Sequence, residues 1–197
     1  MQRIIGKREQ GKMKVKKAIV SSATKHFLDH GISKSSIADI MVDAQLGLGT
    51  FYNYFESKEM LIADLLGDFI KEVKDIVKQN EQSEKSSVET FTEAVTIMSN
   101  HLSDNKFIMP LLFNYKKSTR PTRATNDFWK NQLKKFIAVF SNIIINGQKS
   151  NEFKKNIPIE VINEMIYSIF HSSSISPINF KDNMEIKTKI LIDGFKK

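Results

Sequence analysis

Apolar residues return every third or fourth position along nearly the whole of this chain, and no stretch alternates convincingly with a period of two. Such spacing belongs to helices with one buried face. Only 4 prolines and 8 glycines interrupt it over 197 residues. The fold class is therefore all-α, with about nine helices. The period places them roughly over 14–30, 37–44, 48–55, 57–79, 88–103, 126–148, 159–174 and 184–195, with a short apolar piece at 107–115 that contains Pro110. Ala18, Ile19, Ser22, Ala23 and Phe27 share a face of the first helix, and Gly31 ends it as a left-handed cap. Ser36 caps the second, with Asp39 three places on as a short version of the capping-box acid. Ser57 opens the fourth, whose stripe is Leu61, Leu65, Phe69, Val73 and Ile76.

Composition narrows the partners. The absence of cysteine excludes disulfides and thiolate metal sites. No apolar run approaches the ~18 residues of a membrane span, and the basic N-terminus is not followed by the apolar core of a secretory signal. The expected location is cytoplasmic, with no membrane partner. The formal net charge is +8, and much of it is local: Arg3, Lys7, Arg8, Lys12, Lys14, Lys16, Lys17, Lys25 and Lys34 face only Glu9 and Asp29. Such an excess suits a polyanion. It suits equally a solvated tail in a chain rich in lysine, isoleucine and asparagine, and charge alone leaves both readings open.

Residues 31–61 discriminate further. Two short helices fit around a tight turn, and Ile37, Ile40, Met41, Ala44, Leu46, Phe51 and Phe55, with Ile19 and Phe27, can supply a small core beneath them. The third helix then leaves Leu48, Gly49, Thr50, Tyr52, Asn53 and Tyr54 outside, with no acid among them. A rigid core with one bare face is what a helix entering the major groove of DNA requires. Gly49 lets the backbone approach closely. Thr50 and the tyrosine hydroxyls can bond phosphates or base edges, and Asn53 can read an adenine edge or hold a phosphate. Lys58, in the first turn of the fourth helix, is placed to meet the phosphate backbone.

At these residues the chain resembles the tetracycline-repressor (TetR) family of bacterial transcriptional regulators. The resemblance starts with Ile19-x-x-x-Ala23-x-x-x-Phe27-x-x-x-Gly31 and continues through Ser36-Ile37-Ala38-Asp39-Ile40. It is strongest over Gly49-Thr50-Phe51-Tyr52-Asn53-Tyr54-Phe55-x-Ser57-Lys58-Glu59-x-Leu61. Farther on it holds only in outline, as in Asn146-Gly147-x-x-x-Asn151-Glu152-Phe153-Lys154. It implies a three-helix head over 1–57, with the helix-turn-helix at about 37–55, and a helical body over 58–197. It further implies dimerisation through the last two long helices and an internal ligand pocket. Carried over by position, Ser36, Leu48, Gly49, Thr50, Tyr52, Asn53, Tyr54 and Lys58 would face DNA.

The chain also departs from the family. Gln45 stands where a turn glycine is usual, which costs roughly 1–2 kcal/mol if the turn is left-handed. Gly47 replaces a serine or threonine cap, forgoing typically under about 1 kcal/mol. Leu48 replaces a polar residue and Ala38 an arginine, so sequence preference is expected to lean on thymine methyls and DNA shape.

The body offers weaker patterns. Phe91, Met98, His101, Phe113, Trp129, Phe136, Phe140 and Tyr167 are candidate pocket residues, and core packing explains any one of them as well. Tyr115 is a further polar handle, and Lys116, Lys117, Arg120 and Arg123 form a basic loop. Ile162, Met165, Ile166, Ile169, Ile186 and Ile190 are candidates for a four-helix dimer interface, with Ser172-Ser173-Ser174 allowing close approach. His26 and His30 have zinc spacing but no third ligand, so they read as solvated. No catalytic constellation, metal site or cofactor motif stands out. The expectation is a homodimeric, ligand-responsive repressor of a double-stranded DNA operator, released by an unidentified small apolar or aromatic effector. The rivals are a constitutive dimeric DNA-binding protein, and a helical small-molecule-binding protein with a vestigial head.

Overall fold

A computed structural model describes residues 6–114 and 123–197, apart from a few side chains next to the gap. Arg3, Tyr115, Lys116, Lys117, Arg120 and the side chain of Arg123 lie outside the described residues. Nine helices and no strand occur among those described: α1 (Lys7–His30), α2 (Ile37–Asp43), α3 (Leu48–Tyr52), α4 (Lys58–Gln82), α5 (Ser87–Asp104), α6 (Ile108–Asn114), α7 (Arg123–Lys149), α8 (Ile159–Ser174) and α9 (Phe180–Phe195). They form two compact units, Met1–Leu65 and Leu66–Lys197. The opening of α4 therefore counts with the head.

In the first unit, the four-residue spacing of Ile19, Ala23 and Phe27 puts all three on the buried face of α1. Ile40, Met41, Phe51, Phe55, Leu61 and Ile62 complete the core, while Ile37, Ala44 and Leu46 are only half-buried. Gly31 ends α1 at φ 77° and ψ 160°, a region essentially closed to residues with a β-carbon. This is not the left-handed helical cap expected, although glycine is required for the same reason. Beyond it the chain is pinned. Ser35 is buried and its hydroxyl bridges the carbonyls of His26 (3.0 Å) and Gly31 (2.8 Å).

In the second unit α5 packs on α7 and α9, and α8 packs on the same pair. Ser86 and Glu89 close a full capping box at the start of α5. Pro110 falls in the first turn of α6, where its missing N–H costs nothing. Aromatic rings interlock at the centre: Phe136 lies edge-on to Phe170 at 4.9 Å and to Phe140 at 5.5 Å, and Phe91 meets Phe140 at 5.8 Å. α9 begins four residues before the apolar period does, because Asn179 accepts bonds from the amides of Lys181 and Asp182.

The outline motif at 146–154 becomes a packing knot. Gly147 is buried, and a β-carbon there would run into the ring of Phe153 and sit 2.9 Å from Ser87 Cβ. Asn151 takes φ 69° and turns the chain, so that the amides of Glu152 (2.9 Å) and Phe153 (3.0 Å) both reach the Gly147 carbonyl. The Glu152 carboxylate accepts the Ser87 amide at 2.7 Å and its hydroxyl at 2.9 Å, serving the N-terminus of α5. Burial pushes the Glu152 carboxyl upward, but the hydrogen bonds from Ser150, Ser87 and the Val88 amide outweigh it and leave the group below its ordinary value.

Candidate nucleic-acid interface

The α2–α3 turn is fixed by backbone bonds alone. Gln45 donates to the Val42 carbonyl and Leu46 to the Met41 carbonyl, each at 2.9 Å. This is the double bond of a Schellman motif, and it places residue 45 in the left-handed region at φ 56°. The turn glycine is absent, yet the turn still forms. Gly47 then starts α3 with no side-chain cap.

α3 is shorter than its sequence pattern, ending at Tyr52 rather than Phe55, although the Phe55 amide still bonds the Phe51 carbonyl at 2.9 Å. Phe51 and Phe55 point inward, and Tyr52 lies edge-on to Phe51 at 5.5 Å. Leu48 is 50% and Tyr52 57% exposed, Gly49 and Asn53 are exposed, and Thr50 and Tyr54 are half-buried. Six residues of the expected arc thus lie outside the core, with no carboxylate on α3. A surface so apolar and uncharged, held on a rigid core, favours contact with base edges and methyls over solvation.

Two expected contacts stand differently. Ser36 is exposed, but its hydroxyl both accepts the Asp39 amide (3.0 Å) and donates to the Asp39 carboxylate (2.5 Å). A phosphate there would have to displace that carboxylate. Lys58 is half-buried, and its ammonium donates to the carbonyls of Ile32 (2.6 Å) and Ser35 (2.7 Å). Two of its three donors are engaged, so it ties α4 to the loop before α2 and keeps at most one N–H for a phosphate. Nothing in the sequence pattern marks that loop as its partner. Likewise His26 is not solvated. It sits 2.8 Å from Asp43, joining α1 to α2 as the Ser22 hydroxyl does through the Ile40 carbonyl (2.7 Å).

Residues 19–65 match the family model for bacterial regulatory proteins, tetR family. Over these residues the chain is similar to that family. The HTH-type transcriptional repressor DhaR of Mycobacterium sp. (strain GP1) is 37% identical over 60 residues, 30% of each chain, so the likeness spans under a third of that protein. The fatty acid metabolism regulator protein of Bacillus subtilis (strain 168) is 22% identical over 158 residues, 76% of each chain. The crystal structure of the transcriptional regulator FadR from Bacillus subtilis in complex with stearoyl-CoA superposes with a TM-score of 0.72 at 15% identity, over 90% of this chain and 98% of that one. At that identity the likeness concerns the fold.

The second unit places the remaining candidates unevenly. The eight pocket candidates pack largely on one another, with Phe113 edge-on to Phe136 at 6.5 Å. Phe91, Phe136 and Phe140 interlock in the core, with Met98 and Trp129 also buried. Phe113 packs on Tyr167 at 5.4 Å and near His171 at 5.7 Å. His101 stands apart, stacked on Phe69 at 4.2 Å with its Nε2 3.0 Å from Glu72. A groove between α7 and α8 takes in Tyr167 alone of the eight. Of the interface candidates, Ile162 and Ile166 are buried within the protomer and cannot face a partner. Their stripe packs α8 against its own protomer and is not a free face. Met165, Ile186 and Ile190 are exposed, with Ile190 at 66%, and Ile169 is half-buried. Val161, Ile175 and Ile178 are also exposed, although nothing in the apolar period marks them. No described helix is long and apolar enough to cross a membrane, and no described group of histidine and carboxylate side chains forms a metal cluster.

Proposed function

We propose that this chain is a homodimeric transcriptional repressor that holds its operator with Leu48–Tyr54 and lets go when a small apolar effector binds the body. The observation that carries it is the bare, acid-free arc of α3 over the closed core of Phe51 and Phe55. Leu48, Gly49, Thr50, Tyr52, Asn53 and Tyr54 are its contact residues, with Ser36 and Lys58 in supporting places. Exposed Met165, Ile186 and Ile190 form the self-association face. The solved relative in complex with stearoyl-CoA makes an acyl thioester or another long apolar molecule the first effector class to try.

A fluorescence-anisotropy titration with duplex from the chain's own upstream region tests the reading. Tyr52→Ala and Thr50→Ala should each weaken specific binding about tenfold or more, matching the 1–3 kcal/mol of a base contact. Residual binding to unrelated duplex should be unchanged, since it is carried by phosphate contacts. Equal loss on both duplexes, or no loss, would refute the assignment of α3.

A further inference from the structure

Among the described residues, α5 and α9 enclose a groove of about 580 Å³. Its floor is apolar: Val95, Met184 and Ile192 line it and are buried. Two hydroxyl-bearing residues also line it from facing helices, Ser99 on α5 and Thr188 on α9. Both residues are 4% exposed, and Ser99 Oγ and Thr188 Oγ1 have no hydrogen-bond partner among the described residues. A buried hydroxyl without a partner is unusual and calls for a cause. Here a local remedy exists and is not used. Thr92 and Thr96 on the same helix turn their hydroxyls back to the carbonyls four residues earlier, at 2.8 and 2.9 Å. Ser99 makes no such bond to Val95.

The rim supplies charge. Lys181 is taken by Asp104 at 3.3 Å, whereas exposed Lys189 has no ion pair among the described residues. Glu185 shares the rim. One uncommitted ammonium beside one carboxylate suits a monoanion better than a phosphate dianion. The α5 wall runs from Thr92 to Asn100, about 12 Å of helix. The exposed Ile186 and Ile190 lie one residue, about 100°, farther round α9 than Glu185 and Lys189, so a partner on that face leaves the groove open.

We propose that the α5–α9 groove binds a small amphipathic carboxylic acid. Its alkyl body covers Val95, Met184 and Ile192, a mid-length carbonyl accepts hydrogen bonds from Ser99 and Thr188, and its carboxylate meets Lys189. The site stands whether or not its occupancy is relayed to DNA.

Isothermal titration of the full chain with N-octanoylglycine and with its uncharged methyl ester tests this. The acid should bind saturably at one per chain, and the ester about tenfold more weakly, the worth of one charge-assisted contact. Thr96→Trp, an exposed rim position, should fill the groove and abolish binding. The double variant Ser99→Ala, Thr188→Val should weaken the acid about tenfold with no loss of thermal stability, because those hydroxyls have no partner to lose. Equal binding of acid and ester, full binding by the folded Thr96→Trp variant, or no saturable heat below the acid's micelle concentration overturns the proposal. Unchanged affinity in the double variant also overturns it, since the hydroxyls would then hold only a bridging water.

Discussion

Replacing Gln45 by glycine should stabilise this protein, and the gain can be worked out from one dihedral angle. Gln45 sits at φ 56°, where a β-carbon crowds the following carbonyl. That conformation costs a residue with a side chain about 1–2 kcal/mol. Glycine removes the cost but adds freedom to the unfolded chain, worth about 0.4–1 kcal/mol in the other direction. Gln45 is exposed and its side chain makes no bond that would be lost among the described residues. The net gain is then about 0–1.6 kcal/mol, centred on ~0.8, or roughly 2–3 °C in melting temperature for a chain of this size at that centre. Urea and thermal unfolding of the parent, Gln45→Gly, Gln45→Asn and Gln45→Ala would measure it. Alanine keeps the β-carbon and should leave stability nearly unchanged, while asparagine, which tolerates this region better, should fall between. Amide exchange should slow at Gln45 and Leu46, whose N–H groups close the turn. If Gln45→Gly is no more stable than Gln45→Ala, the backbone argument is wrong.

Gly147→Ala should cost about 1–3 kcal/mol by overpacking against Phe153 and Ser87, and Phe153→Leu in the same chain should recover part of it; a neutral single variant would refute the contact. Glu152 titrates below its ordinary value of 4.5 in the folded chain, so its contribution is present above that value and is lost as pH falls through the lower native value. Glu152→Gln should therefore flatten the acid limb of a stability-versus-pH curve, and an unchanged limb would exclude the Ser87 contact as its source. Lys58→Met should speed amide exchange in the loop at 31–36 and weaken binding to operator, whereas loss of operator binding with the loop unaltered would make Lys58 a phosphate contact only. Ile186→Glu with Ile190→Glu should convert a dimer to a folded monomer by light scattering, and a persisting dimer would move the interface elsewhere.

Much of this could be read without coordinates. Period fixes helix type because a stripe at every third or fourth residue has only one way to be buried, and cap residues fix ends, as Ser36 and Ser86 do. The arc of α3 was legible for the same reason. Once Phe51 and Phe55 turn inward at four-residue spacing, Tyr52 and Asn53 must turn out. The need for positive φ at Gln45 was visible only through resemblance, and its satisfaction by two backbone bonds was not visible at all.

What depended on distant parts of the chain meeting was decided by tertiary structure. A helix with apolar residues on two flanks does not announce which flank its own protomer covers; α8 packs on α7 and α9, Ile162 and Ile166 are buried, and Met165 is left outside. Pocket-like aromatics look the same in sequence whether they surround a cavity or one another, and Phe91, Phe136 and Phe140 chose one another. Lysine at position 58 carries no sign of the two carbonyls at residues 32 and 35 that hold it. The unpartnered pair Ser99 and Thr188 exists only because two helices 89 residues apart are laid side by side. Local periodicity is a property of neighbours along the chain, whereas the choice of partner is a property of the folded whole.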